Sequence, residues 1–570
     1  MRTIIISILL AVLLGSCKDY LEPYPYGGYT SQDLPEYQEM LQGLIGQCYE
    51  YIPRNYNDNE GIYLDGASDD AVITSSTHVM KRFATANLTT GQDPFLTYWD
   101  RDYKAINLLN TFLKDRIGYN SRYLIDKHLD EILRNRLQGE AFALRAWFQW
   151  DLLQKFGGKG TNGQMLGFPI ILEPISITEE INYARNTYDE CVKQILMDCD
   201  SAFKYLPIAH RDFLVPESDR TFSGGRYWGR MDGITTRALK ALVYLTWASP
   251  RFNPENIAAR WDSAAVNAKK VMDFKLNVDN VTNGFNQVTG VNWVNPNFPG
   301  IVWAGRYLNA NDAMERLFYP GGFQGYGAIG ASQDLVNAFP MANGYPIDDP
   351  LNRGGYDPEN PYPNRDPRFY STIFPNASQA KRNNTGAVKY TFENWANGGK
   401  DAAGISSNNT LTNYYIKKFV FMGLNWSDAS INRQPHSKYY IRWAHMCLTF
   451  AEAANQVAGP NDDTRYGISA KTAIQYLRGR KTYDGISGLS EPVPGVADEY
   501  LNEVANAGKE EFDALIRNER RVETCFEGIR FFDLRRWSTN MAELNKPVHG
   551  ADIIQNEDQT FTYNLSNVVE

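Results

Sequence analysis

The stretch GEAFALRAWFQWDLLQKFGG, residues 139–158, carries two apolar stripes at helical spacing. Leu144, Phe148 and Leu152 continue one stripe that begins at Leu137 and Ala141. Phe142, Ala146, Trp147, Trp150 and Leu153 mark the other. A helix that is apolar on two sides must be covered on both, so this one is an inner helix with neighbours in front and behind. Gly157-Gly158 ends it.

Further helices follow in both directions. Upstream, Trp99, Tyr103, Ile106, Leu109 and Phe112 predict a helix over 95–117, and the inner helix, or a pair of them, occupies 124–156. Asp33 with Glu36 makes a capping-box-like start to a helix that runs to Ile52, and residues 53–93 are polar and irregular. Downstream, Thr187-x-x-Glu190 is a capping box opening a helix through Cys191, Ile195, Cys199 and Phe203 to Pro207. Two more helices, 234–249 and 257–274, are split by Ser249-Pro250 and Asn253-Pro254. Paired helices of this size are tetratricopeptide-like, although the strict repeat consensus is absent.

At about residue 277 the composition changes. As far as 435 the chain is rich in Asn, Gly, Tyr, Trp and Pro. A structureless loop of that length is improbable in a compact protein. Helices return at 438–458, 468–481 and 508–527, the last lined by Phe512, Leu515, Ile516, Val522 and Phe526. The predicted fold is mainly α: a tetratricopeptide-like helical array with an inserted, irregular, loop-rich α+β ligand-binding subdomain. The expected segments are a signal peptide (1–16), a lipidated tether (17–32), a helical region (33–276), the loop-rich region (277–435) and a C-terminal helical part (436–570).

The first two segments rest on Leu14-Gly15-Ser16-Cys17, a lipobox. Arg2 and the apolar run Ile4–Leu14 precede it, too short to span a bilayer and followed by small residues, as in a secretory signal. Cys17 is the expected lipidation site. The Pro-, Tyr- and Gly-rich segment 18–32 reads as an extended tether. No other stretch approaches the ~20 apolar residues of a membrane span.

The net charge of −9 argues against nucleic acid as a partner. Besides Cys17 there are Cys48, Cys191, Cys199, Cys447 and Cys525. Their odd number and the absence of CxxC favour small buried thiols over disulfides or a zinc site. Thirty-five tyrosines are hard to bury, because each hydroxyl then needs a partner, so many are expected at surfaces or in clefts.

No catalytic or nucleotide-binding motif stands out, and neither an enzymatic role nor a cofactor or metal is expected. Binding has a stronger basis. Between Asn283 and Tyr326, aromatic residues including Trp293, Trp303, Tyr307, Tyr319, Phe323 and Tyr326 alternate with amides such as Asn309. A sugar ring packs its C–H face on an aromatic ring and pairs its hydroxyls with amide, carboxylate or guanidinium groups. These residues are the candidate carbohydrate contacts, joined by Asp69 and Arg82 from the early loop. Glu519, Glu523 and Glu527, four residues apart on one helix face, read as a structural ion network with Arg535 and Arg536.

The ordered set of RNERRVETCFEGIRFFDLRRW (517–537), YYIRWAHMCLTFAEAANQ (439–456), LVNAFPMANGYPI (335–347), NRDPRF (364–369), residues 139–158, and the lipobox followed by KDYLE (18–22) resembles the SusD/RagB family of outer-membrane nutrient-binding lipoproteins. Cys525 departs from the small aliphatic residue expected there. The resemblance implies a lipid-anchored, surface-exposed protein of the outer membrane. It would lie as a lid on a SusC-like TonB-dependent transporter and pass glycans to it. The matching motifs form the fold and do not transfer ligand contacts. Two other readings stay open at this level: a helical scaffold lipoprotein that binds only protein partners, and a surface glycoside hydrolase.

Overall fold

The structure, a computed structural model, describes residues 38–570 apart from 55, 57, 60, 90, 177–179, 181, 280–299, 306–308, 382–388, 425–432, 479–481, 484–488 and 491–497. The expected signal and tether, Cys17, the Asp33/Glu36 start, Trp293 and Tyr307 lie outside the described residues.

Helices α1 (Gln38–Glu50), α2 (Leu96–Leu113), α3 (Lys127–Phe156), α4 (Tyr188–Ala202), α5 (Gly233–Ala248) and α6 (Ala258–Asn277) stack in chain order, each on the one before. Local chemistry sets their starts. The Asp126 carboxylate accepts the Leu129 N–H at 3.0 Å, and Asp232 accepts that of Thr235 at 2.8 Å. Thr187 and Glu190 form the reciprocal box read from the sequence. In α3, Leu137, Ala141, Leu144, Phe148 and Leu152 are buried, as are Ala146, Trp150 and Leu153 on the other stripe. It packs on α2 and on α4, which is why both stripes are apolar. Gly139 permits one close approach: a Cβ there would lie 2.6 Å from Leu206 Cγ.

After α6 the chain leaves the stack and re-enters at α7 (Trp443–Ala458), which packs directly on α6. Helices α8 (Ala470–Arg478), α9 (Glu499–Ala507), α10 (Lys509–Thr524) and α11 (Arg530–Trp537) complete the helical part. The excursion builds a second core from short antiparallel pairs: Ile301–Ala304 with Tyr439–Arg442, Ile329–Ala331 with Ala71–Ile73, and Ile373–Phe374 with Tyr415–Ile416. That core also takes Tyr56, Leu64, Met80 and Phe95 from the early loop and Val522, Phe526 and Ile553 from the C-terminal segment. A hairpin, His549–Gln555 with Phe561–Val568, follows α11 and has no counterpart in the sequence reading.

Aromatic stacking fills the second core. Phe374 lies on Phe392 at 4.4 Å, and Phe323 on Tyr390 at 4.4 Å with an interplanar angle of 8°. Many tyrosines are buried after all, because partners were found for their hydroxyls. Tyr390 donates to Asp401 Oδ1 at 2.5 Å, Tyr415 to the Asp401 carbonyl at 2.6 Å, and Tyr414 to Gln333 Oε1 at 2.6 Å. The five described cysteines are buried free thiols.

The ion network at the end of α10 exists with different cations from those expected. Glu519 pairs with Arg368 and Arg478, and Glu523 and Glu527 pair with Arg442, with Lys418 also on Glu527. Arg535 instead donates to the Gln154 and Gly157 carbonyls at the C-terminal end of α3, at 2.7 and 3.1 Å. Arg536 grips Glu452 of α7 at 2.5 and 2.7 Å. The helix-face spacing identified the carboxylates, but their partners come from elements folded against that face.

Candidate functional site

The ribbon Ile301–Ala304/Tyr439–Arg442 lies where the helical stack meets the second core. Trp303, on this ribbon, is 2% exposed. Trp147 meets it edge-on at 4.7 Å, Tyr440 lies at 4.5 Å, and its indole N–H donates to the Gly229 carbonyl at 3.0 Å. It is a fixed wall, not a free stacking platform.

That wall bounds a pocket of about 340 Å³ facing α1. Gly43 and Gly46 of α1 leave it open, since a Cβ on either would meet nothing within 4 Å. Tyr49 and Tyr440 supply apolar surface. Each hydroxyl is tied back: Tyr49 accepts the Met231 N–H at 2.9 Å, and Tyr440 donates to the Pro53 carbonyl at 2.8 Å. Arg230 lies over the Tyr49 ring at 4.8 Å and pairs with the fully buried Glu140 at 2.6 Å. Burial, then the Glu140 charge, pushes the Tyr49 phenol well above its usual range, so it stays neutral. Gln47 and the Glu50–Arg54 ion pair stand at the pocket's edge.

Past the paired strands the same two segments meet at two further points. The Gly305 N–H donates to the Lys438 carbonyl at 2.8 Å, and the Asn311 N–H to that of Gln434 at 3.0 Å. Four residues separate 438 from 434, so these two points are at most about 14 Å apart. At the far end Asp312 accepts from Arg316 at 3.1 Å and lies 3.3 Å from Arg433. The Tyr326 N–H donates to the Arg316 carbonyl at 2.7 Å, and the Tyr326 side chain is 52% exposed. Asn309 is exposed beside them.

The structure therefore separates the candidates. Tyr326 and Asn309 face solvent at one end of the ribbon. Tyr319 and Phe323 are 1% and 0% exposed inside the second core, a correction to their reading as ligand contacts. Their aromatic spacing serves packing against Phe374, Phe392 and Tyr390. Asp69 is held by Arg530 through two bonds of 2.8 Å and by Arg521 at 3.2 Å. Burial pushes its carboxyl up, but these two guanidinium groups outweigh that and hold it below the usual carboxylate range. It joins the early loop to α10 and α11. Arg82 is half-buried on the short helix Val79–Ala84 and is not among the residues that line the pocket. Sequence reasoning missed Gln47, Tyr49, Glu50 and Arg230. The only local signal was the pair of glycines three apart on α1.

A stacked helical array carrying a loop-rich body, with an aromatic-walled pocket at their junction, is the class of protein this fold defines. The SusD family model matches residues 279–570, and a second, described as starch-binding associating with outer membrane, matches residues 19–218. The chain belongs to the SusD family. A SusD-like protein of Formosa agariphila is 22% identical over 96% of this chain and 94% of its own. A SusD-like protein of Bacteroides fragilis has the same fold, with a TM-score of 0.65 and 20% identity over 94% of this chain and 92% of that one. A SusD-like carbohydrate binding protein from the same organism gives 0.63 and 17% over 94% and 95%. No helix among the described residues is long and apolar enough to cross a membrane.

Proposed function

We propose that this chain is a non-catalytic, glycan-binding lipoprotein of the outer membrane. Lipid on Cys17 anchors it at the cell surface, and it hands captured oligosaccharides to a SusC-like TonB-dependent transporter. The observation that carries the reading is the pocket walled by Tyr49, Trp303 and Tyr440, together with the exposed Tyr326 and Asn309 beside the Asn311–Gln434 bridge. It offers ring faces together with amide, carboxylate and guanidinium groups, the combination that a sugar's C–H face and hydroxyl edge require. The family's description and a carbohydrate-binding structural relative support the same reading.

Titrating the chain lacking residues 1–17 against a glycan panel by calorimetry tests this reading. Saturable binding of at least one glycan, with no release of reducing sugar, is the expected result. Failure to bind any glycan, with tight binding of a peptide instead, overturns the carbohydrate assignment.

A further inference from the structure

A second cavity, of about 160 Å³, lies behind the candidate pocket. Tyr440 lines both, and the packed rings of Trp147 and Trp303 stand between them. Its walls come from α3 and α5 of the helical stack and from Leu64 and the segment Glu527–Arg536 on the other side. It therefore lies on the seam between the two cores. One water needs about 10–15 Å³ measured this way, so there is room for an ion and its hydration.

The lining is unusual in where its charges converge. Two pairs of cations each share one carboxylate: Arg101 and Lys155 meet on Asp151, and Arg520 and Arg536 meet on Asp533 at 2.6 and 2.8 Å. Arg101 also touches Asp102, whose carboxyl is driven well above its usual range by burial and then by Asp151. Arg536 spends its outer nitrogens on Glu452 and Ser249. Arg520 does not have that outlet. It is 4% exposed, its Nε is bonded to Asp533, and its Nη1 is buried without a partner. Leaving both N–H groups of a buried guanidinium Nη1 unsatisfied is costly, and native structures rarely do it without an ion or water at the site. The remaining walls are mixed: Trp147, Trp150, Leu242 and Leu245 are apolar, Gln154 and Thr246 are polar, and the Glu527 carboxylate is engaged by Arg442 and Lys418.

We infer that this cavity is a binding site for a small monovalent inorganic anion of the halide class, held by Arg520 Nη1 and enclosed by the indoles of Trp147 and Trp150. The anion satisfies the unpartnered Arg520 Nη1 and clamps the helical stack to the loop-rich body. The site is independent of the glycan reading.

Crystals of the full chain soaked in bromide test it. An anomalous peak inside the cavity, within hydrogen-bond reach of Arg520 Nη1, is expected. Density with no anomalous signal there, that is water alone, overturns the inference. In solution, iodide should quench part of the tryptophan fluorescence saturably, above the linear quenching of exposed indoles. Arg520→Lys keeps a cation for Asp533 but removes the fork, and should weaken that saturable part at least about tenfold. A saturable component of unchanged affinity in a folded Arg520→Lys protein overturns the assignment of Arg520. Trp150→Phe, which leaves the guanidinium intact, should reduce the amplitude of saturable quenching without shifting its midpoint; undiminished amplitude in both Trp150→Phe and Trp147→Phe contradicts the location.

Discussion

Arg442 and Glu527 form a two-point ion pair, Nε to Oε2 at 2.9 Å and Nη2 to Oε1 at 2.6 Å. Arg442 ends the ribbon strand and Glu527 follows α10, so the pair ties the ribbon to the C-terminal segment. Both residues are buried, and Lys418 and His445 also reach Glu527. Two charges out of water are tolerable only because their bonding groups are matched.

Removing one partner should therefore cost more than the pair itself contributes. Arg442→Met takes the two-point partner from Glu527 and the shorter of two arginine contacts from Glu523, and should destabilise the protein by about 3 kcal/mol. Urea denaturation at pH 7 measures it. The double variant Arg442→Met/Glu527→Gln should lose clearly less than the sum of the single losses, because neither charge is then left alone. Additive losses would mean the pair is not a coupled unit.

His445 confers an acid sensitivity. Its Nδ1 accepts the Arg442 N–H at 3.2 Å, so its Nε2–H donates to Glu527 at 3.1 Å. Burial outweighs the Glu527 contact and pulls the ring down to about 4. Unfolded, the same ring titrates near 6.5. Between those values the unfolded chain binds the extra proton, so stability declines as the pH falls from about 6.5 to 4. The full loss from this group is about 3 kcal/mol. Urea midpoints at pH 7, 5.5 and 4.5 should show the decline, and His445→Gln should flatten it over that window. Below about 4.5 Glu527, Glu519 and Glu452, all held below the usual range, add a further loss as they protonate.

Tyr326→Ala and Arg433→Ala should each weaken glycan binding about tenfold, corresponding to about 1.4 kcal/mol. Both side chains are well exposed, so the urea midpoint should not move. Trp303→Ala should behave in the opposite way, with destabilisation of about 3–5 kcal/mol from the cavity it leaves. Calorimetry beside urea denaturation separates the two classes of effect. Unchanged affinity in both surface variants removes that end of the ribbon from the site.

Cys17→Ala should release the protein from the membrane fraction while leaving glycan affinity in solution unchanged. Fractionation in cells lacking the transporter reads the anchor alone. Persistence of the variant in the membrane fraction there would contradict lipid anchoring at this position.

The helical array was legible because its determinants are local. The two stripes of α3, the Thr187–Glu190 box and the Ser249-Pro250 break act within a few residues of themselves, and the structure has helices there with closely matching bounds. The change of composition near residue 277 was equally visible, since it is a property of the chain alone. What the excursion does was not. Trp303 and Tyr326 are alike in sequence, aromatic residues among amides, yet one is a wall and the other half-exposed. The difference lies in Trp147 of α3 and Tyr440 of the ribbon, brought against Trp303 from more than a hundred residues away on either side. The pocket likewise needs Gln47, Tyr49 and Glu50 of α1 to meet that ribbon, and the second core needs the early loop and C-terminal segment that the sequence reading grouped with the helices. Helical period, caps and breaks are written in neighbouring residues, so the amino-acid sequence by itself determined the array. Which aromatic faces outward depends on burial by distant partners, and only the tertiary structure decided that.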